Sequence, residues 1–253
     1  TGKRIVAVMP VHIWGNACWI DDLHSLCLER NIKIVEDASE SLGTFYREGK
    51  FSGKHTGTIG EFGCISFNGN KIITTGGGGA ILTNNQKFAE KAKYLTTQAK
   101  DDPINYVHNE IGYNFRLTNI QAALGVAQLE QLQTFIAKKE QIYNSYISLI
   151  DSIEGLSISK VPKYASNNHW INVLNIDNKK YQLDKESIMI KLEEHGIQTR
   201  PVWKLNHLQK PYNKFQSFKI DNAFKLVVQS LCLPSSVSLL EEEINKIAQI
   251  LNG

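Results

Sequence analysis

The sequence predicts an α/β fold in two parts, a larger α/β domain and then a smaller α+β domain, and three observations predict it. Short apolar runs alternate with helical patterns through the first half of the chain. Strand, helix and strand follow one another at the spacing of a βαβ unit, which calls for an open sheet. Around Gly155 the texture changes, and strands and helices then mix at shorter intervals. The boundary is expected near residues 151–155, giving parts 1–153 and 154–253.

Each element has its own warrant. Residues 5–8 read as a buried strand. Ile20, Leu23, Leu26 and Cys27 fall on one helical face, and residues 32–35 form the next strand. Residues 64–67 and 79–82 are two further strands, the second followed by Asn84 or Asn85 as the cap of a helix reaching Leu95. Thr118-Asn119-Ile120-Gln121 has the spacing of a capping box. The helix after it carries Leu117, Ile120, Leu124, Ala127 and Leu132 on one side, and a second helical stretch runs to Ile150. Beyond Gly155 come strands at 156–161 and 170–176, a helix at 184–195, a strand at 198–202 and two final helical segments.

Composition excludes several classes. A chain of 253 residues is long enough to bury a core. Its 42% hydrophobic and 21% charged content is that of an ordinary globular protein. A net charge of +3 without a long basic run argues against nucleic acid or an anionic membrane as partner. No apolar stretch approaches the ~20 residues that span a bilayer. Cys18, Cys27, Cys64 and Cys232 include no Cys-x-x-Cys pair and no matching histidine spacing, so no metal site is expected. Reduced thiols and the absence of a signal peptide point to the cytoplasm. The chain begins at Thr1 and opens almost at once into a strand, from which a preceding N-terminal part of a longer protein is expected.

Lys71 is the candidate catalytic residue. It stands between an apolar strand-like run and four glycines, Gly76 to Gly79. Asp37 ends the strand Lys33-Ile34-Val35-Glu36, at the edge where open α/β sheets bind ligands. A strand lysine with a strand-end aspartate is what pyridoxal 5'-phosphate requires: the amine forms a Schiff base, and the carboxylate pairs with the pyridinium nitrogen. Glu40 reaches the same ring if the turn after Asp37 is helical, and Ser66 is placed to donate to the cofactor phosphate. Asn114 and Arg116 precede a helix start, where backbone amides already favour anions. Taken singly, each has a plainer reading: a cap for Asp37, a solvated acid for Glu40, a snorkelling amine for Lys71, a backbone-bonded hydroxyl for Ser66, and capping for the Asn–Arg pair. His12, His169 and His207 are weaker candidates. The glycines match neither a P-loop nor a dinucleotide fingerprint.

Three ordered segments carry a resemblance. They are Val35-Glu36-Asp37-Ala38-Ser39-Glu40-Ser41-Leu42-Gly43, Gly60-Glu61-Phe62-Gly63-Cys64-Ile65-Ser66-Phe67-Asn68-Gly69-Asn70-Lys71 and Gly112-Tyr113-Asn114-Phe115-Arg116-Leu117-Thr118-Asn119-Ile120-Gln121-Ala122-Ala123. Together with Pro10-Val11-His12 and Thr199-Arg200-Pro201, they closely resemble the DegT-type nucleotide-sugar aminotransferases, which are pyridoxal-phosphate enzymes of fold type I. The stretch from His55 to Asp102 looks most like the branch that aminates 4-keto-6-deoxy sugars on the way to bacillosamine or legionaminic acid.

The resemblance implies roles. Lys71 would be the Schiff-base lysine and acid/base, Asp37 the partner of the pyridine nitrogen, and Glu40 the partner of the ring hydroxyl. Ser66 would bind the phosphate, while Asn114 would reach across a homodimer to the other subunit's cofactor. Arg116 would assist that contact or meet an acidic substrate group. Glutamate is the implied amino donor and a nucleotide-linked keto sugar the acceptor, aminated at C4. A sugar dehydratase on the same fold is the alternative enzyme, disfavoured because that branch carries histidine where this chain has Lys71. A non-catalytic protein retaining the fold is the alternative outside enzymes, and the intact Asp37, Ser66 and Lys71 argue against it.

Overall fold

The computed structural model describes residues 2–253. They fall into two compact units, one of residues 2–136 with Val161–Trp170 and the other of Ala137–Lys160 with Ile171–Gly253.

The first unit is built on four strands, β1 (Ala7–Val8), β2 (Lys33–Asp37), β3 (Phe62–Ser66) and β4 (Gly79–Leu82), hydrogen-bonded in that order. β1, β2 and β3 are mutually parallel, and β4 runs antiparallel to β3. Helix α1 (Asp21–Glu29) makes the crossover from β1 to β2, as the βαβ spacing requires. Strand β1 is shorter than the apolar run suggested, since Ile5 and Val6 lie outside it and are exposed.

Alternation along β2 sends successive side chains to opposite faces. Ile34 and Glu36 are buried, so Asp37 faces the other way. The buried carboxylate of Glu36 accepts from the backbone N–H groups of Gly57 (2.8 Å), Ile59 (2.7 Å) and Gly60 (2.7 Å). Its fourth partner is His12 Nε2 at 2.9 Å. Because His12 Nδ1 accepts from Cys18 N (3.1 Å), the ring carries its proton on Nε2 and donates it to Glu36. Burial alone would raise the Glu36 pKa, but the His12 and backbone donors hold it below the usual carboxylate range. Glu36 thereby fastens the 57–60 turn to the back of the strand that presents Asp37. Gly63 completes this contact: a Cβ there would sit 1.9 Å from the carbonyl oxygen of Gly57, so no other residue fits.

A second histidine is locked neutral. His55 Nδ1–H donates to the carbonyl of Thr56, while Nε2 accepts from Gly43 N at 2.7 Å. Burial pushes its pKa below the ordinary histidine value of about 6.5. The neutral ring therefore contributes stability that is present above about pH 6.5 and is lost as pH falls through the lower folded-state value. The melting temperature is expected to drop on acidification below the ordinary histidine range. His55→Gln should melt lower at neutral pH and show a flatter acid limb in thermal-shift measurements. A variant with the parent's acid limb contradicts this.

Helix α2 (Gln86–Thr96) is capped by Asn85, whose Oδ1 accepts from Phe88 N. Helix α3 (Asn119–Glu130) starts with the capping box that the sequence signalled, Thr118 and Gln121 bonding reciprocally. None of its residues is buried, and Ile120 is 84% exposed. From Ala137 onward, helix α4 (Leu132–Ile150) belongs to the second unit.

That second unit continues with β5 (Leu156–Ile158), β6 (Asn172–Ile176), α5 (Lys185–Glu194), β7 (Arg200–Pro201), α6 (Asp221–Gln229), β8 (Ser230–Leu233) and α7 (Glu241–Asn252). Its strands form an antiparallel sheet in the order β5-β6-β8-β7. Leu174, Ile176, Ile188, Leu192, Leu231 and Ile247 form its interior. The sequence reading missed β8. This strand follows α6 with no turn residue between, and all four of its residues are buried, so neither punctuation nor alternation betrays it.

Candidate active site

Asp37 is the last residue of β2, at the carboxyl end of a parallel strand. The register pairs it with Cys64, so Ser66, two residues on, shares its face at the end of β3. Asp37 is half-buried, and its Oδ1 accepts from Ser39 N at 3.1 Å, which fixes the side chain locally. Among the described residues no cation lies within ion-pairing distance of it, although a carboxylate in such a place favours one. Ser66 Oγ accepts from Asn68 N at 3.3 Å, leaving the hydroxyl proton to donate elsewhere.

Lys71 is not on a strand. The chain leaves β3 at Ser66 and turns, with Lys71 N donating to Asn68 O at 3.0 Å. The apolar pair Ile72–Ile73 that suggested a strand is instead a buried anchor immediately after the lysine. Pinned in this way, the side chain is only 13% exposed, and Nζ lies 3.8 Å from Glu40 Oε1. The Trp170 ring closes another side, its centroid 4.4 Å from Nζ. Glu40 Oε2 accepts from Trp14 N at 2.7 Å. Burial raises the Glu40 pKa, outweighing the Trp14 N–H and the Lys71 charge that act to lower it. The turn after β2 is not helical, yet Glu40 still faces the lysine because Trp14 and Asn168 hold it.

In the sequence, the segment Asn167–Trp170 offers only His169 as a weak candidate and Trp170 as a strand start, but the strand begins at Asn172. Within the segment, Asn168 Nδ2 donates to the carbonyls of Glu40 (2.8 Å) and Leu42 (3.0 Å), and its Oδ1 accepts from Trp170 N (3.0 Å). Trp170 Nε1–H donates to Asn70 O at 2.7 Å. The available signal was the polar run Asn167-Asn168-His169 ending on a tryptophan just before β6. Of the other histidines, His12 serves Glu36, and His207 lies on a short turn of the second unit.

Asn114 and Arg116 are placed differently. Both are exposed, Asn114 paired with Thr97 in a short antiparallel bridge. Among the described residues no hydrogen bond or ion pair joins either to Asp37, Glu40, Ser66 or Lys71. Arg116 instead lines a cavity of about 760 Å³ with Cys64, Gly79, Lys93 and Gln121.

The Lys71 amine is held between the Glu40 carboxylate and the Trp170 ring, and in the same unit Asp37 ends β2 with no ion-pair partner among the described residues. The chain belongs to the DegT/DnrJ/EryC1/StrS aminotransferase family, whose pattern matches residues 1–252. It is 37% identical over 251 residues to EpsN of Bacillus subtilis, named provisionally as a pyridoxal phosphate-dependent aminotransferase, covering 97% of this chain and 62% of that one. It is 32% identical to the GDP-perosamine synthase of Caulobacter vibrioides, covering 98% of this chain and 66% of that one. The chain thus spans about two thirds of the length of these relatives or slightly less. The crystal structure of the aminotransferase TlmJ from Streptoalloteichus hindustanus superposes with a TM-score of 0.89 at 22% identity, over 100% of this chain and 66% of that one. That likeness shows the fold expected from the sequence.

Proposed function

We propose that the protein transfers an amino group, with glutamate as donor, to C4 of a nucleotide-linked 4-keto-6-deoxy sugar, using pyridoxal 5'-phosphate held at Lys71. The observation that carries this reading is the amine of Lys71 caged by Glu40 and Trp170, with Asp37, a half-buried carboxylate at the end of β2 in the same unit, having no cation of its own among the described residues. The donor set fits the cofactor: an amine for its carbonyl, a carboxylate for its ring nitrogen, and a free hydroxyl proton on Ser66 for its phosphate. Bound there, the cofactor supplies the electron sink that nitrogen exchange at a carbon atom needs.

The chain's own residues do the rest. Lys71 would hold the cofactor through its amine and would hold or deliver a proton at Nζ. Asp37 would keep a proton on the ring nitrogen, and Glu40, whose Oε1 lies 3.8 Å from Nζ, would meet the ring hydroxyl. The GDP-perosamine synthases and the UDP-4-amino-4,6-dideoxy-N-acetyl-beta-L-altrosamine transaminase of Campylobacter jejuni, 28% identical over 235 residues, support a nucleotide-sugar acceptor. The protein is cytoplasmic in this reading. No helix among the described residues is long and apolar enough to cross a membrane. A panel of UDP- and GDP-linked 4-keto-6-deoxy sugars with glutamate tests the substrate class: one aminated product is expected, and none from a folded, cofactor-loaded protein overturns it.

The working unit is a homodimer in which each site borrows Asn114 from the partner subunit, with Arg116 beside it for that contact or for an acidic substrate group. The exposed position of both residues and the uncovered apolar side of α3 support this. Mixing Lys71→Ala with Asn114→Ala protein under subunit exchange is expected to restore about a quarter to a half of parental activity, since heterodimers of shared sites contain one intact site. No recovery from proven heterodimers, with a severe Asn114 phenotype, would place Asn114 in its own subunit's site.

A further inference from the structure

We propose that Trp170 is a positioning residue for Lys71, a role that rests on the reading of Lys71 as the cofactor-bonding amine. Trp170 is separated from the lysine by nearly a hundred residues, and two independent contacts join them. Its ring face lies 4.4 Å from Nζ. Its indole N–H donates to the carbonyl of Asn70, the residue before the lysine, at 2.7 Å. One side chain therefore sets both where the backbone of Lys71 lies and where its ammonium rests.

Trp170 is itself held rigidly. It is 4% exposed, and its backbone N–H donates to Asn168 Oδ1. Asn168 is fully buried and is tied to the Glu40 and Leu42 carbonyls. Asn168 N donates to Thr44 Oγ1 at 3.2 Å, and Thr44 Oγ1 donates to Gly15 O at 2.9 Å. His169, between them, takes a left-handed backbone (φ 49), and its N–H donates to Asn167 Oδ1. A non-glycine residue in that region is kept there by its surroundings. The strap 167–170 thus braces both walls of the cage, the Glu40 carboxylate on one side of Nζ and the Trp170 ring on another.

A flexible lysine presents its amine to many positions, and only one of them meets the cofactor's carbonyl. The cage restricts Nζ to a small region and covers it against passing reagents. Removing the ring should then have opposite effects on two reactions of the same amine. Reaction with a small aldehyde, which needs only access, should speed up. Capture of pyridoxal phosphate, which needs placement, should slow down.

The test measures both in cofactor-stripped parent, Trp170→Phe and Trp170→Leu proteins, reading Lys71 against exposed Lys204 by peptide mass spectrometry. In Trp170→Leu, reductive methylation of Lys71 by formaldehyde is expected to rise about fivefold, the factor a cation–π contact at a part-buried site carries. Borohydride-trapped pyridoxal phosphate on Lys71 is expected to fall by about tenfold, within the range that misplacement of a reacting group produces. Trp170→Phe keeps a ring face but loses the Asn70 bond, and should show the trapping loss with little change in methylation. If Trp170→Leu fails to fold, the phenylalanine variant decides on trapping alone. Parallel change of both reactions, or trapping at the parental rate in a folded variant, overturns the proposal. Absence of trapping on Lys71 in the parent would instead overturn the reading of Lys71 itself.

Discussion

Replacing Lys71 with alanine is expected to abolish amino transfer, by about four orders of magnitude or more, while the protein still folds. The side chain bears on Glu40 and Trp170, but the turn that carries it is set by its backbone bond to Asn68 and by the buried Ile72–Ile73 anchor. Alanine leaves both in place. The loss is chemical: no amine remains to fix the cofactor or to move the proton. Glu40, half-buried with a raised pKa, then takes up a proton more readily without the facing ammonium, which limits the structural cost. Turnover and the visible absorbance of the bound cofactor are the readouts. A variant that still fixed pyridoxal phosphate on borohydride treatment would move the role to another lysine.

Asp37→Asn is expected to keep the cofactor bound and to slow transfer by about two to three orders of magnitude, the usual effect of removing one preorganised charge from a reacting centre. The amide is nearly isosteric, and its oxygen still accepts from Ser39 N as Oδ1 does now. What disappears is the negative charge. Glu36, the neighbouring acid, cannot replace it, because it faces the other side of β2 and spends its oxygens on His12 and the 57–60 turn. The measurement is single-turnover transfer with cofactor occupancy checked spectroscopically. A near-parental rate at full occupancy would reduce Asp37 to the local capping bond it makes with Ser39.

Much of this was legible in the sequence because the signals are local. The βαβ start, the Asn85 cap and the Thr118–Gln121 capping box follow from spacing within a few residues, and each stands in the structure. The placement of Asp37 at a strand end is legible in the sequence, whereas Ser66 shares its face only through the β2–β3 register that pairs Asp37 with Cys64. The strand expected around Lys71 is absent among the described residues. The lysine's apolar neighbours are a buried anchor after a turn, and an anchor and a short strand look alike in two residues.

What the sequence hid depends on contacts between distant segments. Trp170 and Asn168 close the lysine cage from more than ninety residues away, and nothing in the intervening pattern announces where the chain returns. Glu36 reads as one more charged residue on a strand, and only the converging N–H groups of the 57–60 turn show why an acid is buried there. β8 is hidden because a short buried run directly after a helix has neither period nor punctuation.

The most direct test of the central claim follows the nitrogen itself. The protein, loaded with pyridoxal phosphate, is given glutamate carrying an isotopically labelled amino group together with a nucleotide-linked 4-keto-6-deoxy sugar, and the sugar product is analysed by mass spectrometry. One labelled nitrogen is expected on the sugar in the parent protein and none in Lys71→Ala. Sugar that leaves the parent unaminated, or an aminated sugar formed equally by Lys71→Ala, would contradict it.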